Sequence, residues 1–349
     1  MEARIGIINR SASFAGGEFS SRSVSQRHIF PLKVAARTAS IHCRLLPEDS
    51  SKIDFSDLDI VLFCRHASIE SLKIHRMCKE LNVPTVYDVD DLVTGYPSYF
   101  QLGDEKLADT KRILEHLEIA DHITVENNQL LRSLPTDILI KASIRENTFS
   151  FDDYPLEKLL ECRNRKIIFT NAAGLKFDSF RNDFFKVLDL FCDKNDYEVH
   201  VFSDLERRVF PLKNMVYRGA TSLEEHKHIL RTECFDFAVV PLGGEEDSHL
   251  SKFNSCKSII KFIEYSALGI PGIFSNVPPY KDRLISYKNC ILAENTEFSW
   301  YQSFVELATN NRLNQKIRSQ AYDESQSDFS MTNTSMNFIQ LIVGLIDGK

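Results

Sequence analysis

The fold is decided by one stretch of the sequence, Phe253-Asn-Ser-Cys-Lys-Ser-Ile-Ile-Lys-Phe-Ile-Glu-Tyr-Ser-Ala-Leu-Gly-Ile-Pro-Gly-Ile-Phe-Ser275. Its apolar spacing predicts a loop, a helix that ends at Gly269, and then a buried strand. Another apolar run at 235–241 precedes the loop, so the region predicts a strand, a crossover helix and a second strand. Units of this kind build parallel sheets with helices on both faces.

The same alternation of short apolar runs and longer helical patterns extends through the rest of the chain. In the N-terminal half, strands are predicted at 5–8, 60–64, 85–89 and 122–125, with helices at 68–81 and 106–119. In the C-terminal half, strands are predicted at 167–170, 198–202, 215–218, 235–241 and 272–275, with helices at 179–193, 222–231, 258–268 and 299–322.

A polar, acidic stretch at about 146–165 separates the two halves. We therefore predict an α/β protein of two doubly wound, Rossmann-like domains, 1–150 and 151–330, with a C-terminal helix within 331–349 that packs back on the body. Two such domains are expected to face a central cleft at the carboxyl ends of their strands, where open α/β folds bind ligands.

Composition is that of an ordinary globular protein and argues against several functions. The 349 residues, 43% of them hydrophobic, suffice for two domains. The formal net charge of −7 argues against wholesale nucleic-acid binding. Apolar runs fall short of the ~20 residues of a membrane-spanning helix, and the N-terminus is typical of a first strand rather than a signal peptide. We therefore expect a cytoplasmic protein.

The eight cysteines are scattered along the chain, with no Cys-x-x-Cys pair and no zinc-ligand spacing. Free thiols behave as small apolar residues, and they are the usual state of cysteine in the cytosol. We expect all eight to be reduced and predict no metal site.

The predicted helix in the opening stretch carries charged side chains that suit a nucleotide. Lys257 and Lys261 are four residues apart and share a helix face with Glu264. A helix N-terminus with adjacent lysines favours a diphosphate, and a carboxylate can accept hydrogen bonds from both hydroxyls of a ribose. The alternative is a surface helix whose three charges pair with one another.

The second half of the stretch, Glu264-Tyr-Ser-Ala-Leu-Gly-Ile-Pro-Gly-Ile-Phe-Ser275, resembles the Glu-Ala-x-Ala-x-Gly-x-Pro-Val-Ile-x-Ser signature of GT-B-fold glycosyltransferases, family 4-like in particular (glycosyl transferases group 1). Weaker matches follow the order of that family at Ala120-Asp-His-Ile-Thr-Val125, at Val216-Tyr-Arg-Gly219 and from Trp300 to Ala321. The resemblance implies the GT-B fold and a role for Glu264 in binding the ribose of a nucleotide sugar.

The sequence departs from the family pattern just before the helix. Family members usually carry a second glutamate eight residues before the ribose-binding one, in a glycine-containing loop, and here that position is Cys256. The carboxylate that would hold the hydroxyls of the donor sugar is therefore missing. Lys257 and Ser258 are expected to bind the phosphates in place of the glycine backbone.

Two further loops are candidates for the donor side. Gly16 and Gly17 follow the first strand, where glycines let backbone approach a phosphate or sugar, although a plain turn is the alternative. Asn171 and Lys176 follow the first strand of the second domain, in a loop that by resemblance lies against the diphosphate. An exposed surface role for Lys176 stays open.

Asp90 and His66 are candidates for the acceptor side because both follow N-terminal strands. Asp90 could orient the acceptor, take its proton or bind a sugar hydroxyl, whereas the alternative is a turn cluster. His66 could contact donor or acceptor, or be a hydrogen-bonded structural histidine. Asp88-Val-Asp90 also fits the Asp-x-Asp metal motif of the GT-A fold, but the parallel-sheet pattern and the Glu264 signature favour GT-B, which usually needs no metal.

The segment 22–44 is basic within an acidic protein, and it carries Arg22, Arg27, Lys33, Arg37 and Arg44 without an acidic residue. On a helix with apolar neighbours, such residues predict peripheral contact with an anionic membrane surface. An anionic acceptor or an ordinary solvated helix face would give the same pattern.

By the resemblance, we expect a retaining, metal-independent glycosyltransferase that moves a sugar from a nucleotide-diphosphate sugar to a glycan or lipid-linked acceptor. The nucleotide sugar is a substrate, so no cofactor is expected. The implied pathway makes a surface polysaccharide or another glycoconjugate. The alternatives are a GT-B-fold sugar-nucleotide epimerase and a degenerate, non-catalytic glycosyltransferase-like binding subunit.

Overall fold

The computed structural model describes residues 2–9, 11–14, 17–20, 22–92, 104–154, 164–171, 180–243 and 248–348. The chain divides into two compact units. Unit 1 consists of Met1–Thr148, Cys256–Ser258 and Phe329–Lys349, and unit 2 consists of Phe149–Ser255 and Ile259–Asp328.

Unit 1 is built on a parallel sheet. Its strands are β1 (Ala3–Ile8), β2 (Ser11–Phe14), β3 (Gly17–Ser20), β4 (Ile41–Leu46), β5 (Ile60–Cys64), β6 (Thr85–Val89), β7 (His122–Val125) and β8 (Ala142–Ile144). β2 and β3 form an antiparallel hairpin. The other six lie side by side in the order β4-β1-β5-β6-β7-β8, and each pairing is parallel.

Helices connect these strands as a parallel sheet requires. They are α1 (Arg22–Val24), α2 (Phe30–Ala35), α3 (Ile69–Glu80), α4 (Asp104–Ile119) and α5 (Asn128–Arg132), and a π-helical segment, Ser25–Ile29, joins α1 to α2. α3 begins where the side chain of Ser68 accepts a hydrogen bond from the backbone N–H of Ser71 at 2.9 Å, which is a standard helix cap.

Unit 2 is built on a second parallel sheet. Its strands are β9 (Lys166–Asn171), β10 (Glu198–Ser203), β11 (Met215–Gly219), β12 (Phe237–Val240), β13 (Gly272–Ser275) and β14 (Ile291–Ala293). They lie in the order β11-β10-β9-β12-β13-β14, so the order reverses between β9 and β12. This is the Rossmann strand order, in which ligands bind at the carboxyl ends of the strands beside the reversal.

The helices of unit 2 are α6 (Arg181–Asn195), α7 (Leu223–Thr232), α8 (Ser248–Ser255), α9 (Ile260–Ala267), α10 (Tyr280–Arg283), α11 (Glu297–Thr309) and α12 (Asn311–Phe329). The core of this unit is rich in phenylalanine and surrounds the fully buried Trp300. Phe184 packs against Trp300 edge to face, with ring centroids 4.9 Å apart, an arrangement that aromatic rings prefer.

The last helix, α13 (Met331–Asp347), belongs to unit 1 and packs on α2. Phe338, Ile339 and Ile342 on one face of α13 are buried in the same core as Ile5 of β1 and Leu32 of α2. The apolar helical spacing near the C-terminus therefore covers the sheet of unit 1.

Both units have the α/β architecture that the alternating pattern predicts. The predicted helix at 299–322 is wrong in one respect, because Asn310 ends α11 and its side chain caps α12 by accepting from the N–H of Leu313 at 3.0 Å. The predicted loop before the 258–268 helix also contains the end of α8. Gly269 adopts a left-handed φ of 65° just after α9, as its predicted role at the helix end requires.

The expectation that all the cysteines are reduced is wrong for Cys234, which forms a disulfide bond. The six other cysteines within the described residues are free, and all of them except Cys43 are buried.

Two buried histidines join α3 and α4 beneath the sheet of unit 1. The Nδ1 atoms of His75 and His116 lie 2.7 Å apart, so one ring donates a hydrogen bond to the other. The second nitrogen of His75 bonds to the hydroxyl of Thr85 at 2.9 Å, and that of His116 to the hydroxyl of Ser71 at 3.2 Å. Burial lowers the pKa of His75 to about 3 and that of His116 to about 2.

We expect the free energy of unfolding to fall as the pH drops from about 6.5 to about 4.5. Unfolded histidine binds its proton near pH 6.5, whereas burial lowers the pKa of His28 and His75 to about 3 and that of His116 to about 2. The unfolded state therefore takes up more protons, at a cost of at most about 4 kcal/mol per pH unit for the three rings. Glu126, whose pKa burial raises to about 7, offsets part of this loss.

Urea unfolding at several pH values across this window measures the slope. A His116→Gln variant should reduce the slope by about 1.4 kcal/mol per pH unit, the contribution of one proton. A matched His228→Gln change on the exposed face of α7 is the control. A free energy that stays constant over this range would contradict the assignment of neutral, buried histidines.

Candidate functional site

Polar side chains gather where the strands of the unit 1 sheet end. Arg65 follows β5, Asp90 and Asp91 follow β6, and Glu126 follows β7. Because the carboxyl ends of parallel strands meet at one edge of a sheet, these residues share that edge. Arg65 has a left-handed backbone with φ of 49°, and its N–H donates to the backbone oxygen of Asp88 at 3.0 Å. A strained non-glycine residue of this kind is common at binding sites.

A buried arginine links the ends of β6 and β7. Both oxygens of Asp88 accept hydrogen bonds from Arg27, at 2.6 Å from Nε and 2.6 Å from a terminal nitrogen. The other terminal nitrogen of Arg27 donates to Glu126, and the hydroxyl of Thr124 donates to Asp88. Arg27 is only 2% exposed and Asp88 is fully buried, so the pair is shielded from water. A buried charge requires such partners.

The two carboxylates of this network differ in their protonation. Burial by itself raises the pKa of Asp88, but the charge and hydrogen bonds of Arg27 outweigh it and bring that pKa well below its usual range. Burial raises the pKa of Glu126 to about 7, and the opposing charge of Arg27 offsets this only in part, since Arg27 bonds twice to Asp88. Glu126 also accepts from the N–H of Asn147 at 3.2 Å and bonds to Ser258.

Ligand atoms of His28, Cys64 and Asp88 lie within 4.8 Å of one another, which is close enough to hold a metal ion. Two guanidinium groups lie beside them: Arg27 bonds to both oxygens of Asp88, and Arg145 is 3.3 Å from Nδ1 of His28. These cations already supply the positive charge that a metal would bring, and they would repel one. We therefore infer no metal centre there.

The segment Cys256–Ser258 belongs to unit 1 and is held there by side-chain amides. The amide nitrogen of Asn127 donates to the backbone oxygens of Cys256 and Lys257, both at 3.1 Å. The oxygen of the same side chain caps α5, so Asn127 is fixed at both ends. The amide of Asn147 donates to the hydroxyl of Ser258 at 2.9 Å. The backbone of this segment is therefore positioned by the ends of β7 and β8.

Lys257 forms an ion pair with Asp91. Its Nζ lies 2.7 and 2.6 Å from the two carboxylate oxygens of Asp91, and the lysine side chain is 13% exposed. Arg65 lies on the other side, with Nε 3.1 Å from Asp90 and a terminal nitrogen 3.6 Å from Asp91. Burial alone would raise the pKa of Asp90. The positive charges of Arg65 and Arg27 outweigh that effect and hold the pKa below its usual range, so Asp90 is ionised at neutral pH.

His66 is 1% exposed and lies beneath this edge. Its Nδ1 accepts a hydrogen bond from the N–H of Cys64 at 3.0 Å, so a neutral ring carries its proton on Nε2. The hydroxyl of Tyr87 donates to its backbone oxygen at 2.6 Å, and Phe63 packs against the ring edge to face. The predicted contact of His66 with a substrate stays a prediction.

In unit 2, the side chains of the predicted donor helix reach the strand reversal. Lys261, in the first turn of α9, donates through Nζ to the backbone oxygen of Thr170, next to the carboxyl end of β9. This end lies beside β12, where Rossmann sheets bind their ligands. Asn171 is the last residue of β9. Lys261 therefore lies at the carboxyl end of β9, beside the strand reversal, and its role in binding a nucleotide phosphate stays a prediction.

Glu264 lies one turn further along α9, on the same helix face as Lys261. Its side chain is 15% exposed, and Oε2 lies 3.8 Å from Nε2 of His226 on α7. His226 is 5% exposed and packs edge to face against Phe202, near the end of β10. The carboxylate is thus supported from α7 and retains a solvent-accessible surface that can accept hydrogen bonds.

Other predicted site residues lie elsewhere or outside the described residues. Gly17 begins β3 and pairs with Phe14 in the hairpin, so it lies in a strand, not in a loop before a helix. Gly16 and Lys176 are outside the described residues. The predicted roles of both glycines, of Asn171 and of Lys176 stay predictions.

The described basic side chains of the segment 22–44 do not all face solvent. Arg27 is buried in the network described above, and Leu32 packs in the core of unit 1 at 1% exposure. Lys33, Arg37 and Arg44 are exposed. Membrane contact through this segment stays a prediction. No described helix is long and apolar enough to cross a bilayer.

The whole chain matches solved glycosyltransferase structures at low sequence identity. A glycosyltransferase from Rickettsia africae ESF-5 is similar with a TM-score of 0.65 at 12% identity, covering 100% of both chains. Anabaena Alr3699/HepE, solved in complex with UDP and glucose, is similar with a TM-score of 0.63 at 10% identity, covering 98% of this chain and 100% of that one. Compared with protein-family models and with curated proteins, the sequence matches none.

A putative UDP-N-acetylglucosamine 2-epimerase from Listeria monocytogenes is also similar, with a TM-score of 0.58 at 10% identity, covering 100% of this chain and 98% of that one. The chain therefore has the GT-B fold, as the resemblance in its sequence implies. Transferases and an epimerase share this fold, so the fold alone does not specify the reaction.

Proposed function

We propose that the chain is a glycosyltransferase that moves a sugar from a nucleotide-diphosphate sugar to a glycan or lipid-linked acceptor. The observation that carries the proposal is that Lys261 and Glu264 share one face of α9, at the strand reversal of a GT-B fold. Anabaena HepE, which shares the fold, binds UDP and glucose. The match of Glu264–Ser275 to the family 4-like signature supports the same assignment.

In this proposal, Glu264 binds the ribose hydroxyls, and Lys261 neutralises the diphosphate as the leaving group departs. Lys257, Ser258 and Lys176 belong to the same phosphate-binding set. Preorganised cations that meet the developing charge of the leaving group are the largest expected contribution to catalysis. The reaction is proposed to retain the anomeric configuration, which NMR of the product would measure.

The acceptor is proposed to meet the polar edge of the unit 1 sheet. Asp90 is ionised and 13% exposed, so it can accept a hydrogen bond from an acceptor hydroxyl. Arg65 places a positive charge beside that carboxylate, with Nε 3.1 Å from Oδ1. Surface polysaccharide or other glycoconjugate biosynthesis is the proposed pathway, with peripheral membrane contact through the exposed basic residues of 22–44.

Product analysis of nucleotide-sugar incubations tests the proposal. A glycosyltransferase releases a nucleoside diphosphate faster when an acceptor is present, whereas an epimerase converts the sugar nucleotide with no acceptor and no net release. The incubation without acceptor is included because the Listeria protein, a putative epimerase, shares the fold. A binding subunit would bind the nucleotide sugar and leave it unchanged. That outcome would contradict catalysis.

We expect turnover to persist in excess EDTA. Both oxygens of Asp88 are bonded to Arg27, so the Asp88-x-Asp90 pair does not offer two carboxylates to one cation. Lysines are proposed to stabilise the leaving diphosphate instead. Initial rates with EDTA, with and without excess Mg²⁺, measure this. A rate that vanishes in EDTA and returns with Mg²⁺ would contradict a metal-independent mechanism.

A further inference from the structure

We propose that Asp91 sets the affinity for the donor by occupying Lys257 in place of a donor phosphate. The carboxylate is displaced when a diphosphate binds, and Lys257 then pairs with the phosphate oxygens. The inference rests on the proposed function, because it assigns Asp91 to the same donor site. It adds a residue that the sequence pattern does not mark.

In this ion pair, the carboxylate of Asp91 occupies the position beside Lys257 that another anion would take. Nζ of Lys257 lies within hydrogen-bond distance of both oxygens of Asp91, at 2.7 and 2.6 Å. A phosphate would offer the lysine the same pair of oxygens with more charge. The carboxylate and the phosphate are therefore competitors for one ammonium group.

The backbone at this point is fixed while the lysine head can move. Asn127 donates to the backbone oxygens of Cys256 and Lys257, and Asn147 holds Ser258. The flexible stem of lysine carries its charge as a compact point and can turn about a fixed Cα. Exchange of the partner thus requires rotation of one side chain and leaves the segment in place.

Asp91 keeps a cation when Lys257 leaves. Oδ2 of Asp91 lies 3.6 Å from a terminal nitrogen of Arg65, and 25% of its side chain is exposed to water. Arg65 also contacts Asp90 at 3.1 Å, so one guanidinium serves two neighbouring carboxylates. Release of Lys257 therefore does not leave a buried charge without a partner, so the exchange costs little free energy.

Lys257 comes shortly before α9 in the sequence, the helix that is proposed to bind the donor. α9 begins at Ile260, three residues later along the chain. Its first turn also carries Lys261. A helix N-terminus with adjacent lysines favours a diphosphate, so the anion that competes with Asp91 is a diphosphate.

An Asp91→Asn variant tests the proposal by calorimetric titration with two probes, UDP and inorganic pyrophosphate. The variant keeps the oxygen that accepts from the N–H of Leu92 at 3.0 Å, so the turn is retained. We expect both probes to bind about five- to tenfold more tightly, since a competing ion pair has been removed. An Asp91→Ser variant serves if the asparagine variant does not fold.

The matched control is the same change in a Lys257→Met background. There Asp91 has no lysine to hold, and the asparagine change should alter both affinities less than about twofold. Tightening confined to the lysine-containing background supports the proposal. An unchanged affinity in both backgrounds overturns it, and so does equal tightening in both, because that would reflect only the loss of a negative charge.

The pyrophosphate arm separates this inference from the proposed function. Pyrophosphate lacks the ribose that Glu264 is proposed to bind, so its response to Asp91 does not depend on nucleotide recognition. If neither UDP nor any other nucleoside diphosphate binds while pyrophosphate responds as expected, the nucleotide assignment fails and the role of Asp91 holds. If UDP binds and neither probe responds to the Asp91 change, the role of Asp91 is wrong and the nucleotide assignment holds.

Discussion

Replacement of Arg27 by methionine is expected to lower the free energy of unfolding by about 3–5 kcal/mol. Methionine fills much of the same space, but it leaves the fully buried Asp88 without its two strongest hydrogen bonds. Arg145, 3.9 Å from Asp88, replaces only part of the lost charge. Urea denaturation followed by circular dichroism measures the change.

Arg4 offers a matched control, because it also meets aspartates through its guanidinium but is exposed. It donates to Asp59 at 2.9 Å and to Asp57 at 2.6 Å, with 44% of its side chain exposed. An Arg4→Met change should cost far less than Arg27→Met, because exposed ion pairs are screened by water and contribute little. Equal losses for Arg27→Met and Arg4→Met would show that burial does not govern the network.

Loss of Glu264 is expected to weaken binding of a nucleoside diphosphate about 100-fold. A carboxylate that accepts from two ribose hydroxyls contributes two charge-assisted hydrogen bonds, and their loss of about 3 kcal/mol corresponds to that factor. The matched control is Glu206→Ala, which removes an exposed glutamate elsewhere in unit 2. Calorimetric titration of both variants measures the difference. A Glu264→Ala protein that keeps its full nucleotide affinity would remove Glu264 from the site.

Local patterns predicted the central strands and their helices well. The bounds of β5, β6 and β7 agree with the runs at 60–64, 85–89 and 122–125 because these strands are buried on both faces and read as continuous apolar runs. Ser68 marked the beginning of α3 through its capping hydrogen bond. β4 was missed, because it lies at the sheet edge and exposes the four residues between Ile41 and Leu46.

Local sequence patterns could not predict the buried network of unit 1. Arg27 lies 61 residues from Asp88 and 99 residues from Glu126 along the chain, so spacing cannot pair them. Arg27 was instead grouped with its basic neighbours as a surface residue, and its burial shows that this interpretation is wrong for it. One signal was present: Asp88 lies inside an otherwise apolar strand, where a charge needs a buried partner.

The helix that is proposed to bind the donor was predicted in part. Glu264 and Lys261 lie on one face of α9, as their spacing indicated. Lys257 was grouped with them on that helix, but α9 begins three residues after it, and its ammonium group pairs with Asp91. That pairing joins residues 166 positions apart, so only the folded chain reveals it.

The most direct test of the central claim is a thermal-shift titration of the full chain with nucleoside diphosphates and their sugars. A protein that binds a nucleotide-sugar donor is stabilised by about 2.7 kcal/mol when the ligand is at 100 times its Kd, so its Tm rises with ligand concentration. We predict such a rise for one base in preference to the others, and its loss in Glu264→Ala. A Tm that no nucleoside diphosphate or nucleotide sugar moves would contradict the donor site.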